Sequence, residues 1–302
     1  MHSPVQAHFE SWSLPVPVTL ALVLMAFVYT RGWFRLRESV PNVISVWRLG
    51  AFMSGLYSLW IPVGSPLQAF DHYLLSIHMV QHILLMTVAP PLILLGAPAL
   101  PLLHGSPQRF VRWTRGLLLR WPLVQGLGRI LTHPVFCWLA AMVALVGWHV
   151  PAVFELARRS HSWHEVEQAS FFGTGLLFWW PVVQPWPSVA RWPRWCIPLY
   201  LFLATLPCDA LSAFLAFCDR VVYSSYLSAP RLFNISPLQD QECAGALMWV
   251  CATFLYLIPA VVVTIQILSP PGTHPAELAK LSGTESPSGP LPLGWRSSKD
   301  GN

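Results

Sequence analysis

Two histidines stand four residues apart in a long apolar stretch, at His78 and His82, and Met86 follows four residues later. On an α-helix these positions share one face, so the three side chains form a stripe with Met79 beside it. Two imidazoles at this spacing can bind one metal ion from a single helix, and a neighbouring thioether favours copper, especially Cu(I). Buried histidines also hydrogen-bond to neighbouring helices, and the spacing leaves both interpretations open.

Other polar residues in the apolar segments are predicted to lie at the same depth as this stripe. Ionisable residues are rare inside membrane segments and usually mark a functional site. The predicted metal ligands are His78, His82, Met86, His149 and His164. The predicted supporting residues are Asp71, His72, Met79, Gln81, Glu167 and Asp240. Asp71 or Glu167 would orient an imidazole from behind, as carboxylates commonly do at metal sites. Asp240 also stands near a helix boundary, where an acidic residue can cap the helix.

The elements that position these residues are predicted to be membrane helices. Of the 302 residues, 54% are hydrophobic and 10% are charged, whereas a soluble domain carries about 25% charged residues. The apolar segments cover residues 14–30, 44–63, 71–100, 134–154, 163–183, 195–217 and 243–268. Most are long enough to cross a bilayer, and Pro90–Pro91 should kink or break the third. The sequence therefore predicts an all-α, polytopic membrane protein with a bundle of seven transmembrane helices.

The basic residues predict how this bundle is oriented. Fourteen of the 18 Lys and Arg residues fall in the loops after the first, third and fifth segments and in the tail, and four fall in the other loops. Because positive residues favour the cytoplasmic side, the N-terminus is predicted outside and the C-terminus in the cytoplasm. Residues 1–268 are predicted to form the transmembrane domain, and the Pro/Gly/Ser-rich residues 269–302 a disordered cytoplasmic tail. The net charge of +5 lies in orienting loops, so no nucleic-acid partner is expected.

Four strings of the sequence resemble the CtaG-like family of bacterial cytochrome c oxidase assembly proteins, which serve caa-type oxidases. They are "SPLQAFDHYLLSIHMVQHILLMTVAPPLILLGAP", "GWHVP", "HEVEQASFFGTGLLFWWPVV" and "YSSYLSAPRLFNISPLQDQECAGALMWV", and the likeness extends over about residues 14–268. The residues that match its strongest motifs are His78, Gln81, His82, Pro90, Pro91, His149, His164, Trp180, Asp240 and Gln241. Gln168 stands where the family pattern often has a second histidine in the fifth segment.

The resemblance implies a multi-pass protein of the bacterial cytoplasmic (inner) membrane that assists the assembly of a haem–copper oxidase. We expect it to hold or deliver copper transiently near the outer face. Its expected partners are oxidase subunits, a copper donor protein and membrane lipid. No nucleophile–base pair, phosphate loop or paired-carboxylate motif is visible, so a binding protein is expected rather than an enzyme.

Two alternatives remain at this point, a haem-binding protein and a copper permease. His78 and His82 share one helix face and cannot both be axial ligands of one haem, which makes haem the weaker prediction. A permease would need ligands that continue through the inner half of the bundle, where the sequence supplies few. A retinal protein is excluded because the only lysines, Lys280 and Lys299, lie in the tail.

Overall fold

The computed structural model describes residues 15–37, 45–109, 111–113, 116, 122–185, 192–231 and 233–269. Within these ranges all regular structure is helical. The helices are α1 (Val16–Arg37), α2 (Val46–Gly64), α3 (Leu67–Phe70), α4 (Leu75–Ile83), a π-helical turn (Leu84–Val88), α5 (Ala89–Leu95), α6 (Ala99–Gly105), α7 (Pro122–Leu131), α8 (Pro134–Trp148), α9 (Pro151–Arg159), α10 (His161–Val183), α11 (Cys196–Phe217), a 3-10 turn (Ser224–Tyr226) and α12 (Pro237–Leu268). After Ser269 the predicted cytoplasmic tail lies outside the described residues.

Every apolar segment predicted from the sequence coincides with a helix or a run of helices. Four stretches are long and apolar enough to cross a membrane, namely α1, Leu75–Leu95, α11 and α12. The pair α8 and α9 is a fifth candidate if its bent halves count as one span. Helices α2 and α10 reach 19 and 23 residues but are not among these candidates. The protein is therefore a helical membrane protein with four to five candidate spans by length and composition.

Two predicted segments are interrupted in the structure. The predicted helix over 134–154 ends at Trp148, and α9 leaves at an angle of 76°. Pro151 causes this bend, since it lacks an N–H group and forces Val150 into an extended conformation. In the predicted segment 71–100, α4 begins only at Leu75. Asp71 consequently precedes the helix of the histidines and lies at the end of α3.

The predicted break at Pro90–Pro91 takes the form of a π-helical turn that ends just before it. Proline has no N–H, so Pro90 cannot donate a hydrogen bond to the carbonyl of Met86 one turn earlier. The indole Nε1 of Trp179 donates to that carbonyl instead, at 3.1 Å. Gly175 permits this approach, because an added Cβ would come within 2.7 Å of the Met86 oxygen. A side chain from α10 thus satisfies the backbone group that proline leaves without a partner.

The stretch from Leu75 to Leu95 is the central helix of the bundle. Of its most apolar stretch of 18 residues, 61% is buried inside the protein, whereas the corresponding share is 17–28% in the other three candidate spans. It packs against α2, α10 and α12. A helix in this position cannot present polar side chains to lipid or water, so its histidines must find partners inside the protein.

The first turn of the central helix is held by an acidic residue from a different helix. Helix α12 begins at a capping box formed by Ser236 and Gln239, and one turn later Asp240 points at the start of α4. Its carboxylate accepts hydrogen bonds from the backbone N–H groups of Leu75 and Ser76 and, at 2.6 Å, from the Ser76 hydroxyl. The capping role considered for Asp240 therefore occurs in the structure, but on α4 rather than on its own helix.

We predict that Asp240→Ala lowers the free energy of unfolding by about 1–3 kcal/mol, because buried donors at the start of α4 lose their acceptor. Denaturation of the detergent-solubilised protein would measure the change. Glu242→Ala is the matched control, since Glu242 is exposed on the same turn of α12 and should alter stability by no more than about 0.5 kcal/mol. Equal losses in the two variants would contradict the capping role.

Candidate metal centre

The predicted polar residues converge on one buried cluster between α4, α10 and the bend that joins α8 to α9. Helix α4 contributes His78 and His82 one turn apart, and α10 contributes His164 and Glu167 from its first two turns. The spacing of three and four residues places each pair on one helix face. His149 is the residue at which α8 ends. The cluster therefore combines side chains from three separate parts of the sequence.

The centre of the cluster is the carboxylate of Glu167, which is fully buried. Its Oε1 lies 3.7 Å from Nε2 of His78 and 3.5 Å from Nε2 of His82. Its Oε2 lies 3.1 Å from Nδ1 of His164. Ligand atoms of His78, His82 and Glu167 all lie within 4.8 Å of one another. We call these three residues the inner group.

A second group adjoins the first and includes one partly exposed residue, His164. Ligand atoms of Asp71, His78 and His164 also lie within 4.8 Å of one another, so His78 belongs to both groups. Asp71 Oδ2 lies 3.4 Å from Nε2 of His164, and Asp71 Oδ1 lies 3.6 Å from Nε2 of the exposed His72. Asp71 is thus the link between the buried imidazoles and the outermost one. We call Asp71, His78 and His164 the entrance group.

Arg158 places a positive charge beside the entrance group. Its Nη1 lies 3.8 Å from Asp71 Oδ1, and its guanidinium sits 5.2 Å over the ring of Tyr226. The two oxygens of the Asp71 carboxylate therefore face different groups, Oδ1 the guanidinium of Arg158 and Oδ2 the imidazole of His164.

The buried nitrogens and oxygens of the inner group lack hydrogen-bond partners. Neither ring nitrogen of His78 or of His82 has a partner within the described structure, and neither does Oε1 of Glu167. Buried polar atoms are normally paired, and an orphaned one costs roughly 1–3 kcal/mol. Three of these atoms, the two Nε2 nitrogens and Glu167 Oε1, lie close together, as expected around a bound cation. Two imidazoles and a carboxylate therefore fit a metal ion of the copper or zinc type.

The remaining predicted residues flank this cluster. The Nδ1 of His149 lies 2.6 Å from the Leu145 carbonyl and carries the proton, so its Nε2 is left to face the Met79 sulfur at 3.4 Å. The His149 ring centre is 5.8 Å from that of His82. Gln81 donates from its amide to the carbonyl of Pro62 at 3.1 Å and ties α4 to α2. His149, Met79 and Gln81 thus hold the surroundings of the inner group.

Met86, predicted as a metal ligand, lies in the π-helical turn that follows the two histidines. The prediction assumes regular α-helical spacing, whereas a π-helical turn holds an extra residue. The Met86 side chain is buried and, like that of Met79, belongs to the apolar core, so its role as a ligand stays a prediction. Met79, predicted as a supporting residue, is the methionine whose sulfur contacts a histidine.

Gln168 also has a definite role beside the cluster. Its amide nitrogen lies 3.0 Å from Nε2 of His164, one turn earlier on α10. At the position where the CtaG-like pattern often has a histidine, this chain therefore has an amide that contacts the imidazole of His164.

Sequence reasoning missed Arg158 and the aromatic wall of the cluster. Arg158 was counted only as a loop cation, although the helix that contains it begins at the proline bend. Phe171 packs against His82 with ring centres 4.2 Å apart, and Phe154 packs edge-on to His78 at 5.2 Å. Phe171 stands four residues after Glu167 and seven after His164, so the helical repeat of α10 predicts that it lies on the same face as both.

The comparisons with known proteins give the family. The family model described as "Cytochrome c oxidase caa3 assembly factor" matches residues 27–269, which is most of the chain. The uncharacterized proteins Mb0105 of Mycobacterium bovis and MT0111 of Mycobacterium tuberculosis are each 25% identical to it over 285 residues, which cover 86% of this chain. The uncharacterized protein ML1998 of Mycobacterium leprae is 23% identical over 270 residues.

The matched region accounts for 42%, 42% and 39% of these three relatives, so the chain spans about two fifths of their length. No solved structure matches the chain. The family match covers the central helix and every residue of the inner and entrance groups. The chain therefore belongs to the cytochrome c oxidase caa3 assembly factor family.

Proposed function

We propose that this assembly factor holds a copper ion in the inner group until it is passed to a haem–copper oxidase. His78, His82 and Glu167 would be the ligands, and bound copper would supply the metal that the oxidase needs for its redox centres. The observation that carries the proposal is the set of orphaned ring nitrogens around Glu167 Oε1. Burial without partners is unfavourable for these atoms unless a cation joins them.

The donor set favours a particular oxidation state of copper. Imidazole and carboxylate ligands suit Cu(II) as well as zinc, whereas thioether ligands favour Cu(I). Since the inner group consists of two imidazoles and a carboxylate, we propose Cu(II) as the ion initially held. Three ligands leave coordination positions open, which permits transfer to a partner. Copper rather than zinc is favoured by the family's role in cytochrome c oxidase assembly.

Neither alternative function receives comparable support. The rings of His78 and His82 lie 4.2 Å apart on one helix, which leaves no room for a porphyrin between them. A permease needs ligands beyond His82, but the buried side chains that follow along the described central helix are mainly apolar, among them Leu85, Ile93 and Leu94. A non-catalytic carrier with an oxidase subunit, a copper donor and lipid as partners is the simplest function for this arrangement.

We further propose seven transmembrane spans in the cytoplasmic membrane of a bacterium, with the N-terminus outside. The seven helical segments and the asymmetry of Lys and Arg support this topology. The inner and entrance groups would then lie in the outer half of the bilayer, on the side from which an extracytoplasmic copper donor approaches.

The topology is tested with reporter fusions. Green fluorescent protein fused after Asn302 should fluoresce, because it folds in the cytoplasm, and alkaline phosphatase at that position should be inactive. Alkaline phosphatase inserted after Ser160, between α9 and α10, should be active because that loop is predicted outside. The reverse pattern would overturn the proposed orientation.

Copper binding is tested on full-length protein purified in detergent, loaded with Cu(II) and passed through a desalting column. We expect about one copper per chain in the wild type and a loss of at least about tenfold in affinity for His78→Ala/His82→Ala, because both share the site with Glu167. His104→Ala/His161→Ala is the matched control, since both histidines are exposed. Met86→Leu should retain copper.

In cells, His78→Ala/His82→Ala should lower the copper content of the oxidase. A wild type that binds no copper would refute the proposal.

A further inference from the structure

We propose that the protein loads its ion in two steps, through the entrance group and then into the inner group, with His78 as the ligand common to both. This inference rests on the proposed metal-holding function and adds the route by which the ion arrives. The juxtaposition that carries it is the overlap of two potential ligand sets, one that includes the partly exposed His164 and one that is buried throughout.

The exposure of the three histidine side chains falls along the proposed route. The side chain of His72 is 61% exposed, that of His164 is 12% exposed and that of His78 is fully buried. Asp71 lies between the first two, with a carboxylate oxygen within 3.6 Å of each imidazole. An ion captured near His72 therefore meets a carboxylate and a second imidazole before it meets the buried pair.

His78 stands between the two groups. Its ring centre lies 5.7 Å from that of His164 and 4.2 Å from that of His82. During the transfer, the bonds from the ion to Asp71 and His164 break, those to His82 and Glu167 form, and the bond to His78 persists. The oxidation state of the ion does not change, and no proton or other reactant is required. A shared ligand lowers the barrier because the ion is never without protein donors.

Arg158 makes the entrance group the weaker of the two. The guanidinium of Arg158 lies 3.8 Å from Asp71 Oδ1 and is held over the ring of Tyr226, and the Arg158 side chain is only 7% exposed. A cation bound to Asp71 is repelled by this charge, and the repulsion is stronger in a partly buried setting than in water. In the described part of the chain, Arg158 pairs with Asp71 and not with Glu167, so the inner group lacks this penalty. The ion therefore moves inward.

Rapid mixing of the full-length wild type with Cu(II), followed by freeze-quenching and electron paramagnetic resonance, tests the two steps. We expect two successive copper spectra, the first from the entrance group and the second from the inner group. In Asp71→Asn, loading should slow by at least about tenfold, because the entrance loses its charge, while the final copper content stays at the wild-type level. Asp71→Glu, which restores the charge, should recover much of the rate.

Two further variants complete the test. Glu165→Gln removes an exposed carboxylate from the same turn of α10 and should load at the wild-type rate. His82→Ala should stop at the first spectrum and lose its copper to a chelator faster than the wild type. If Asp71→Asn does not fold, the two spectra of the wild type and the arrest in His82→Ala still decide the question.

The outcomes separate this inference from the proposed function. A wild type that takes up no copper refutes the holding function, and the route with it. A wild type that binds copper with a single spectrum at all times, together with Asp71→Asn loading at the wild-type rate, refutes the route alone.

Discussion

The structure around the candidate site depends on one buried carboxylate. Glu167 is inaccessible to solvent in the centre of an apolar bundle, and an isolated charge in such a place would be prohibitively unfavourable. His164 compensates one oxygen directly, while the other oxygen faces two imidazoles that have no other partner. The positions of α4 and α10 follow from this need, because each helix must turn its polar face toward the same point. A bound cation, as proposed, would complete the charge balance at this carboxylate.

The helices that carry these residues are fixed by polar side chains that bond to backbone groups. In a membrane, a backbone N–H or carbonyl without a partner has no water to replace it. Asp240 of α12 accepts from the N–H groups at the start of α4, and Trp179 of α10 donates to the carbonyl that Pro90 frees. These contacts lie on either side of the histidines along the central helix. His78 and His82 thus lie between two hydrogen-bonded contacts to the backbone, each made by a different helix.

Much of this arrangement could be predicted from the sequence, and the failures have identifiable causes. His78 with His82, and His164 with Glu167, followed from regular helical spacing, which holds where each pair occurs. For Met86 the assumption of regular spacing does not hold, because a π-helical turn follows His82, and its role as a ligand stays a prediction. The partner of Asp240 could not be predicted, since it lies 165 residues away in the chain. Arg158 was missed because the bend at Pro151 turns a segment assigned to one span back over the cluster.

The order of residues along the central helix favours a carrier over a channel. Polar groups occupy its first two turns, and below His82 the buried residues are mainly apolar, with Phe171 packed against the His82 ring. Beyond the inner group, Met86 and Thr87 are the only buried side chains of the described central helix that carry a sulfur or oxygen atom, so we expect the way in to be the way out as well. Release toward the same side requires that a partner compete for the ion at the entrance group, where Arg158 already weakens its binding. The positive charge of Arg158, which would drive the ion inward, would thus also keep the entrance group free for the partner that removes the ion.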